Sequence, residues 1–227
     1  MKTYEIVVVR HGQSVWNKEN RFTGWVNVNL SEQGLSEAKA AGELLKKNNI
    51  SFTKMHTSYL NRAIKTGWTI LEELGLMSIP VQKSWELNER HYGGLQGKNK
   101  KETAEIHGDD QVKIWRRSFD TPPPELTEEQ DLSPAFLYEK LETIPKSESL
   151  KDTCQRVIPF WNDVIAKDVL AGEKILIAAH GNSIRGLLKH LKNISDEEIV
   201  KLEIPTGKPI VVKLDENLKA VEDFFLS

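Results

Sequence analysis

The sequence contains almost no cysteine and no long apolar run. Cys154 is the only cysteine among 227 residues, so no internal disulfide can form and a reducing compartment fits. The apolar run at residues 6–9 ends at Arg10 and is too short for the apolar part of a signal peptide. No segment approaches the ~18 apolar residues that a membrane-spanning helix needs. These absences predict a cytoplasmic protein without a membrane partner.

The chain also lacks a strong excess of charge. Its 31 Lys and Arg residues stand against 33 Asp and Glu residues, which gives a formal net charge of −2. Because so small a charge creates no field that attracts nucleic acid, no nucleic-acid partner is expected. Any anion that binds must be held by a local cluster of cations.

Two kinds of apolar pattern alternate along the chain. Residues 6–9 (IVVV) and 174–179 (KILIAA) form continuous runs that are typical of strands buried on both faces of a parallel sheet. Other segments repeat their apolar residues at helical spacing, near Leu35, Ala63, Ser149 and Ile184. The alternation predicts one α/β domain over residues 1–227, with three α/β/α layers and a mostly parallel central sheet.

Residues 88–149 interrupt this alternation with a Gly-rich turn, a basic run, three consecutive prolines and an acidic stretch. We interpret the segment as a lid-like insertion over the active site, because long loops in compact domains are commonly functional. The run YGGLQGK at 92–98 is one residue short of a nucleotide-binding P-loop, and Asn99 stands where Ser or Thr should follow. A nucleotide cofactor is therefore not expected.

Two predicted strands end in the same short motif. The first continues into HGQS from His11, and the second continues into HGNS from His180. In open parallel sheets, ligands bind beyond the C-terminal ends of the strands, so the two histidines meet there if the strands are neighbours. The pattern leaves three interpretations open: a nucleophile, a zinc ligand, or a loop histidine with local hydrogen bonds. Zinc is disfavoured because the chain lacks a second cysteine and a helical pair of histidines.

Several charged residues could complete an anion site beside these histidines. Arg10 adjoins His11, and Arg62 opens a predicted helix, where the guanidinium and the helix dipole both favour phosphate. Taken alone, Arg62 would be an ordinary surface cation. Glu89 precedes the Gly-rich turn and is the best candidate for a general acid and base. Its alternative interpretation is an exposed loop carboxylate.

Four longer motifs extend these observations over nearly the whole chain. They are VRHGQSVWNKENRFTGW at 9–25, LNERHYGGLQGKNK at 87–100, WRRSF at 115–119 and AAHGNSIRGLLKHL at 178–191. Together they resemble the cofactor-dependent phosphoglycerate mutases of the histidine phosphatase superfamily. The resemblance implies an isomerase of glycolysis and gluconeogenesis that interconverts 3-phosphoglycerate and 2-phosphoglycerate. It also implies priming by 2,3-bisphosphoglycerate, no metal, a small-molecule phosphoglycerate as partner, and a homo-oligomer as one expected state.

The resemblance further implies a role for each matching residue. His11 would carry the phosphoryl group, Glu89 would give and take the proton of the substrate hydroxyl, and Arg10, Arg62 and His180 would surround the transferring group. Substrate contacts are also implied for Arg10, Ser14, Asn17, Thr23, Gly24, Arg62, Glu89, Arg90, Tyr92, Lys100, Arg116, Arg117, Gly181 and Asn182. Within this set, Lys100, Arg116 and Arg117 would bind the carboxylate and the second phosphate.

Other functions remain alternatives at this point. A bisphosphoglycerate mutase would make the bisphosphate as its product, and a broad-specificity phosphatase would let water take the phosphoryl group from His11. A non-catalytic phospholigand-binding protein is disfavoured because His11 and Glu89 are both present. The segment 125–147 is shorter than in longer relatives, so we expect water to reach the phosphohistidine and cause measurable phosphatase activity.

Overall fold

A six-stranded sheet organises the computed structural model, which describes residues 2–128, 132, 134–139 and 141–227. The strands are β1 Tyr4–Arg10, β2 Lys54–Thr57, β3 Val81–Lys83, β4 Ile175–Ala179, β5 Pro209–Leu214 and β6 Ala220–Phe225. Their order in the sheet is β3-β2-β4-β1-β5-β6. The strands from β3 to β1 pair in parallel, whereas β5 and β6 add an antiparallel edge. The prediction of a mostly parallel sheet is confirmed.

Helices cover both faces of this sheet. They are α1 Val15–Lys18, α2 Glu32–Lys47, α3 Asn61–Leu74, α4 Lys100–His107, α5 Asp109–Arg117, α6 Leu150–Phe160, α7 Ala166–Leu170, α8 Gly181–Lys192 and α9 Asp196–Ile199. A π-helical turn, Trp161–Ile165, joins α6 to α7 just after Pro159, whose missing N–H interrupts the helical hydrogen bonds. The expected three-layer α/β/α architecture is confirmed.

The central strand β1 shows why the core has two halves. Ile6 and Val8 pack into one apolar cluster with α6 and α8, whereas Val7 and Val9 pack into another with α2 and α3. Because successive side chains of a strand point to opposite faces, a continuous β-branched run satisfies both clusters at once. Each such side chain contributes roughly 1.5–3 kcal/mol when it is fully buried.

The segment 88–149 contributes no strand to the sheet among its described residues. It contains short 3₁₀ turns at Gly93–Leu95 and Ala135–Tyr138, with α4 and α5 between them. Small satellite clusters around Phe22 and Trp25 attach it to the loops that follow β1. The expected shortening of 125–147 falls partly on residues 129–131, 133 and 140, which lie outside the described residues.

None of the helices in the described ranges combines the length and the apolar content that crossing a bilayer requires.

Candidate active site

His11 and His180 lie side by side at the ends of two neighbouring strands. The parallel pairing of β1 with β4 sets Arg10 opposite Ala179, and the backbone N–H of His11 donates to the Ala179 carbonyl at 3.0 Å. The two imidazole rings lie 5.0 Å apart between centroids, and both side chains are buried. The two histidines that share the sequence motif therefore lie in one site, because their strands are neighbours in the sheet.

The hydrogen bond of His11 fixes which of its nitrogens is free. Nδ1 lies 2.7 Å from the carbonyl oxygen of Gly12. A carbonyl only accepts hydrogen bonds, so Nδ1 carries the proton and Nε2 keeps its lone pair. Burial lowers the pKa of His11 well below its ordinary value, and the charges of Arg62 and Arg10 lower it further. At neutral pH the ring is therefore uncharged, which is the form that can act as a nucleophile.

His180 is held through its other nitrogen. Its Nε2 lies 2.7 Å from the hydroxyl oxygen of Ser58, which comes from the segment between β2 and α3. The pKa of His180 is also lowered well below its ordinary value, first by burial and then by the charges of Arg62 and His11. Both histidines of the site are therefore neutral in the free protein, but their hydrogen bonds differ.

A close backbone contact holds the loop that carries His11. A Cβ on Gly12 would lie 2.2 Å from the carbonyl oxygen of Gly34, and a Cβ on Gly34 would lie 2.0 Å from the carbonyl oxygen of Gln13. Neither position can hold a larger residue without displacing backbone. The N–H of Gly12 also donates to the hydroxyl of Thr66 at 3.0 Å. The loop that carries His11 is thus packed between the first turn of α2 and the side of α3.

Two arginines flank the histidines and retain unused donors. Arg62 donates to the carbonyls of Val26 at 3.0 Å and Gly24 at 2.7 Å, and Arg10 donates to the carbonyl of Ile204 at 2.7 Å. In the described part of the chain, the Nε atoms of both arginines are buried without a hydrogen-bond partner. Burial lowers the pKa of Arg62 to about 10, although Glu89 partly offsets it, so the side chain stays charged. Unused charged donors of this kind fit an oxyanion.

Glu89 faces these arginines from the insertion. Its Oε1 accepts three hydrogen bonds, from the N–H of Arg90 at 2.8 Å and from the backbone and side-chain nitrogens of Asn182 at 3.1 and 2.9 Å. Burial raises the pKa of Glu89, but the Arg90 hydrogen bond, the charge of Arg10 and the Asn182 hydrogen bond together bring it below its ordinary value. The carboxyl is therefore ionised in the free protein.

A buried ion pair holds the backbone of Glu89. Arg156 of α6 donates to the carbonyl of Glu89 at 2.9 Å and to two carbonyls within residues 86–88. Its remaining donors contact Glu148 at 2.7 and 2.8 Å, and the indole N–H of Trp25 adds a bond of 2.6 Å to the same Glu89 carbonyl. This loop is therefore rigid enough to keep the carboxylate beside the histidines.

These side chains surround one cavity of about 200 Å³. Seven of its lining residues are arginine or lysine and two are acidic, in a protein whose formal net charge is −2. The lining consists of Arg10, His11, Asn17, Arg21, Phe22, Thr23, Gly24, Arg62, Glu89, Tyr92, Lys100, Arg116, Arg117, Gly181, Asn182, Arg185 and Glu203. The local cation cluster that anion binding requires is therefore present.

Most residues that the sequence predicts for the site line this cavity, and three do not. His180 stands behind His11. The hydroxyl of Ser14 caps α1 by accepting from the N–H of Asn17 at 3.1 Å, and Arg90 donates to the hydroxyl of Tyr92 at 3.1 Å and the Arg116 carbonyl at 2.8 Å. We therefore correct the expected place of Ser14 and Arg90, which support the wall of the cavity rather than form it.

Four lining residues were not predicted from the sequence: Arg21, Phe22, Arg185 and Glu203. Arg185 had a usable signal, because it follows Asn182 by three positions in α8 and so shares its face. Glu203 had none, because its loop reaches the cavity only through tertiary packing. Within the described residues, no group of three or more His, Cys, Asp or Glu side chains is arranged to hold a metal ion.

The sequence matches the family description "Histidine phosphatase superfamily (branch 1)" over residues 6–134 and 125–226. The chain therefore belongs to the histidine phosphatase superfamily, and the superfamily that the sequence motifs imply is confirmed.

Solved structures with the same fold include three hydrolases by name. A mycobacterial hydrolase shares 21% identity over 100% of this chain and 99% of its own, with a TM-score of 0.76. A mycobacterial glucosyl-3-phosphoglycerate phosphatase shares 20% identity over 99% and 97%, with a TM-score of 0.73. The alpha-ribazole phosphatase from Shigella flexneri shares 20% identity over 98% and 96%, with a TM-score of 0.70.

These similarities correct one expectation. The resemblance of the motifs implies an isomerase, but these three solved structures that share the fold are named phosphatases or hydrolases. The predicted isomerase class is therefore wrong. The mutase and phosphatase alternatives of the sequence analysis differ in the acceptor of the phosphoryl group, which the short motifs around His11 do not specify.

Proposed function

We propose that this protein is a phosphatase that transfers a phosphoryl group from a small phosphomonoester to His11 and then to water. The observation that carries the proposal is the state of His11, which is neutral and has its Nδ1 hydrogen-bonded to the carbonyl of Gly12. His11 lines a cavity that is rich in arginine and lysine. The phosphatase names of the structures with the same fold support the choice of water as acceptor.

In the first step, Nε2 of His11 attacks phosphorus and the ester P–O bond breaks. The leaving alkoxide needs a proton, and Glu89 is the carboxyl group in the cavity beside Arg10 and Arg62. A bound phosphate dianion offsets the charges of these two arginines, so the pKa of Glu89 rises and the carboxyl can carry the proton that it donates.

In the second step, water attacks the phosphohistidine and the N–P bond breaks. The ionised Glu89 takes a proton from the water, inorganic phosphate forms, and His11 returns to its starting state. The unused donors of Arg10 and Arg62 bind the phosphoryl oxygens during both steps. Because they are fixed by backbone carbonyls before substrate arrives, little reorganisation is needed in the transition state.

The cavity favours small substrates that carry a second anionic group. Its volume of about 200 Å³ suits a metabolite better than a phosphorylated segment of protein. Lys100, Arg116 and Arg117 line the wall in addition to the cations around His11. They offer a site for a carboxylate or a second phosphate, so phosphoglycerates are the first substrates to test.

The decisive experiment follows 3-phosphoglycerate in two assays, one for inorganic phosphate and one for 2-phosphoglycerate. Each assay is run with and without 2,3-bisphosphoglycerate and with a chelator present. We expect release of phosphate that needs no primer, is insensitive to the chelator and is inhibited by vanadate. Conversion to 2-phosphoglycerate faster than hydrolysis, or loss of phosphate release with the chelator, would overturn the proposal.

A further inference from the structure

An acidic side chain stands between two arginines of the cavity. Glu203 lies on the loop between α9 and β5, and its carboxylate contacts Arg117 at 2.6 Å and Arg185 at 3.8 Å. All three residues line the cavity that contains His11. A negative charge therefore occupies part of a site that otherwise attracts anions.

Arg185 is held more firmly than the carboxylate that faces it. Arg185 donates to the carbonyl of Leu202 at 2.7 Å and to the side chain of Asn182 at 3.1 Å, and its own side chain is only 10% exposed. The side chain of Glu203 is 68% exposed. Because an exposed carboxylate is well hydrated on its own, it can leave the arginines at small cost.

The surrounding loop keeps Glu203 at this place. The carbonyl of Ile204 accepts from Arg10 at 2.7 Å, and the N–H of Gly207 donates to the carbonyl of Arg10 at 2.9 Å. The backbone on the C-terminal side of Glu203 is thus tied to the residue next to His11. The carboxylate is presented to Arg117 and Arg185 by fixed backbone, while its own side chain remains free to turn into solvent.

We propose that Glu203 is a specificity-determining residue that takes the place of the substrate's second anionic group between Arg117 and Arg185. The inference rests on the proposed function for the identity of the substrate. A ligand whose second anionic group binds between Arg117 and Arg185 must displace Glu203, whereas a ligand with one phosphate leaves the ion pair intact. Glu203 therefore weakens the preference for doubly anionic ligands.

The test compares the binding of two ligands that differ in one group. We choose 3-phosphoglycerate, with phosphate and carboxylate, and glycerol 3-phosphate, in which a hydroxymethyl group replaces the carboxylate. Binding is measured by calorimetry in a His11→Ala background, so that neither ligand is consumed. The variants are Glu203→Gln and, as a matched control, Glu222→Gln, which removes an equal charge from the exposed Lys213–Glu222 pair of β5 and β6.

We expect Glu203→Gln to raise the ratio of the two affinities about threefold in favour of 3-phosphoglycerate, in keeping with the loss of one exposed ion pair. Glu222→Gln should leave the ratio unchanged. An unchanged ratio in Glu203→Gln, an equal rise in the control, or no binding of either ligand would overturn the inference. Because binding is measured without turnover, a failure to hydrolyse phosphoglycerate in the unmodified protein would count against the phosphatase alone.

Discussion

The two strand-end histidines share a sequence motif but differ in the partner that each ring meets. The Nδ1 of His11 is hydrogen-bonded to the carbonyl of its own neighbour Gly12, whereas the Nε2 of His180 is hydrogen-bonded to the hydroxyl of Ser58 in the segment after β2. The chain after them also differs, since α8 begins directly after His180 and presents Asn182 to Glu89. Under the proposed function, the same four-residue pattern would therefore supply a nucleophile in one place and a support for charge and proton transfer in the other.

The strongest test of this division of roles is His11→Ala. The variant lacks the nitrogen that accepts the phosphoryl group, so we expect turnover to fall on the order of 10⁴-fold or more. Labelling with a phosphate donor and quenching in alkaline detergent should show a phosphohistidine that acid treatment removes in the unmodified protein, and no label in the variant. A label that persists in His11→Ala and disappears in His180→Ala would reverse the assignment.

Glu89→Gln tests the proton transfer that the His180 side supports through Asn182. The amide cannot protonate an alkoxide, so hydrolysis of an alkyl phosphate should fall about 10²- to 10⁴-fold. An aryl phosphate with a good leaving group needs no such proton, and its burst of phosphohistidine formation should be much less affected. Equal losses for both substrates would show that Glu89 only maintains the shape of the site.

His180→Asn should lower turnover without abolishing the covalent step. The imidazole of His180 lies 5.0 Å from that of His11 between ring centroids, and loss of one stabilising group near reacting atoms costs about 10²- to 10³-fold. The labelled phosphohistidine should still form at His11, only more slowly. Complete absence of label in a variant that melts like the unmodified protein would argue that His180 is the acceptor or its obligatory base.

Ser58→Ala tests the hydrogen bond that distinguishes His180 from His11. Loss of one buried hydrogen bond typically costs about 0.5–1.5 kcal/mol of free energy. Because this cost should fall on the activation free energy, we expect a two- to tenfold fall in kcat with little change in KM. Thr66→Val is the matched comparison, because it removes the hydroxyl that accepts from Gly12 on the His11 side. If neither variant changes kcat, the ring orientations are set by packing alone.

The smallest expected effect is the change in the free energy of unfolding with pH. The folded pKa values of His11 and His180 lie well below the ordinary value, so the unfolded chain binds more protons than the folded one near pH 6. Stability should therefore fall as pH falls, by about 0.4 kcal/mol for each histidine between pH 6.5 and 6.0. In denaturant titrations, His11→Asn and His180→Asn should each reduce this dependence.

The sequence predicts the strands and histidines of the site better than the hydrogen bonds that surround them. Two apolar runs ending in His-Gly predict two buried parallel strands and a shared crevice if the strands are neighbours, and the pairing of β1 with β4 meets that condition. Glu89 could be chosen as a candidate, but its ionised state depends on hydrogen bonds from Arg90 and Asn182. Those partners are set by tertiary packing, which no local pattern encodes.

The short strand β3 and the position of Glu203 escaped prediction for similar reasons. β3 spans only Val81–Lys83, too few residues to establish a periodicity. Glu203 looks like an ordinary surface carboxylate until the loop between α9 and β5 folds back onto Arg10. The prediction of an isomerase was wrong for a different reason, because the acceptor of a phosphoryl group depends on which molecules reach the cavity.

The close backbone contact between Gly12 and Gly34 restricts the substitutions that these positions can accept. In a saturation library screened for phosphoryl transfer, position 34 should tolerate replacement as poorly as position 11, although it sits in a helix and is not among the residues lining the cavity. Any side chain there must push against the carbonyl of Gln13 and so shift the nucleophile's loop. The pattern of tolerated substitutions would therefore identify residues that hold the His11 loop in place without lining the cavity.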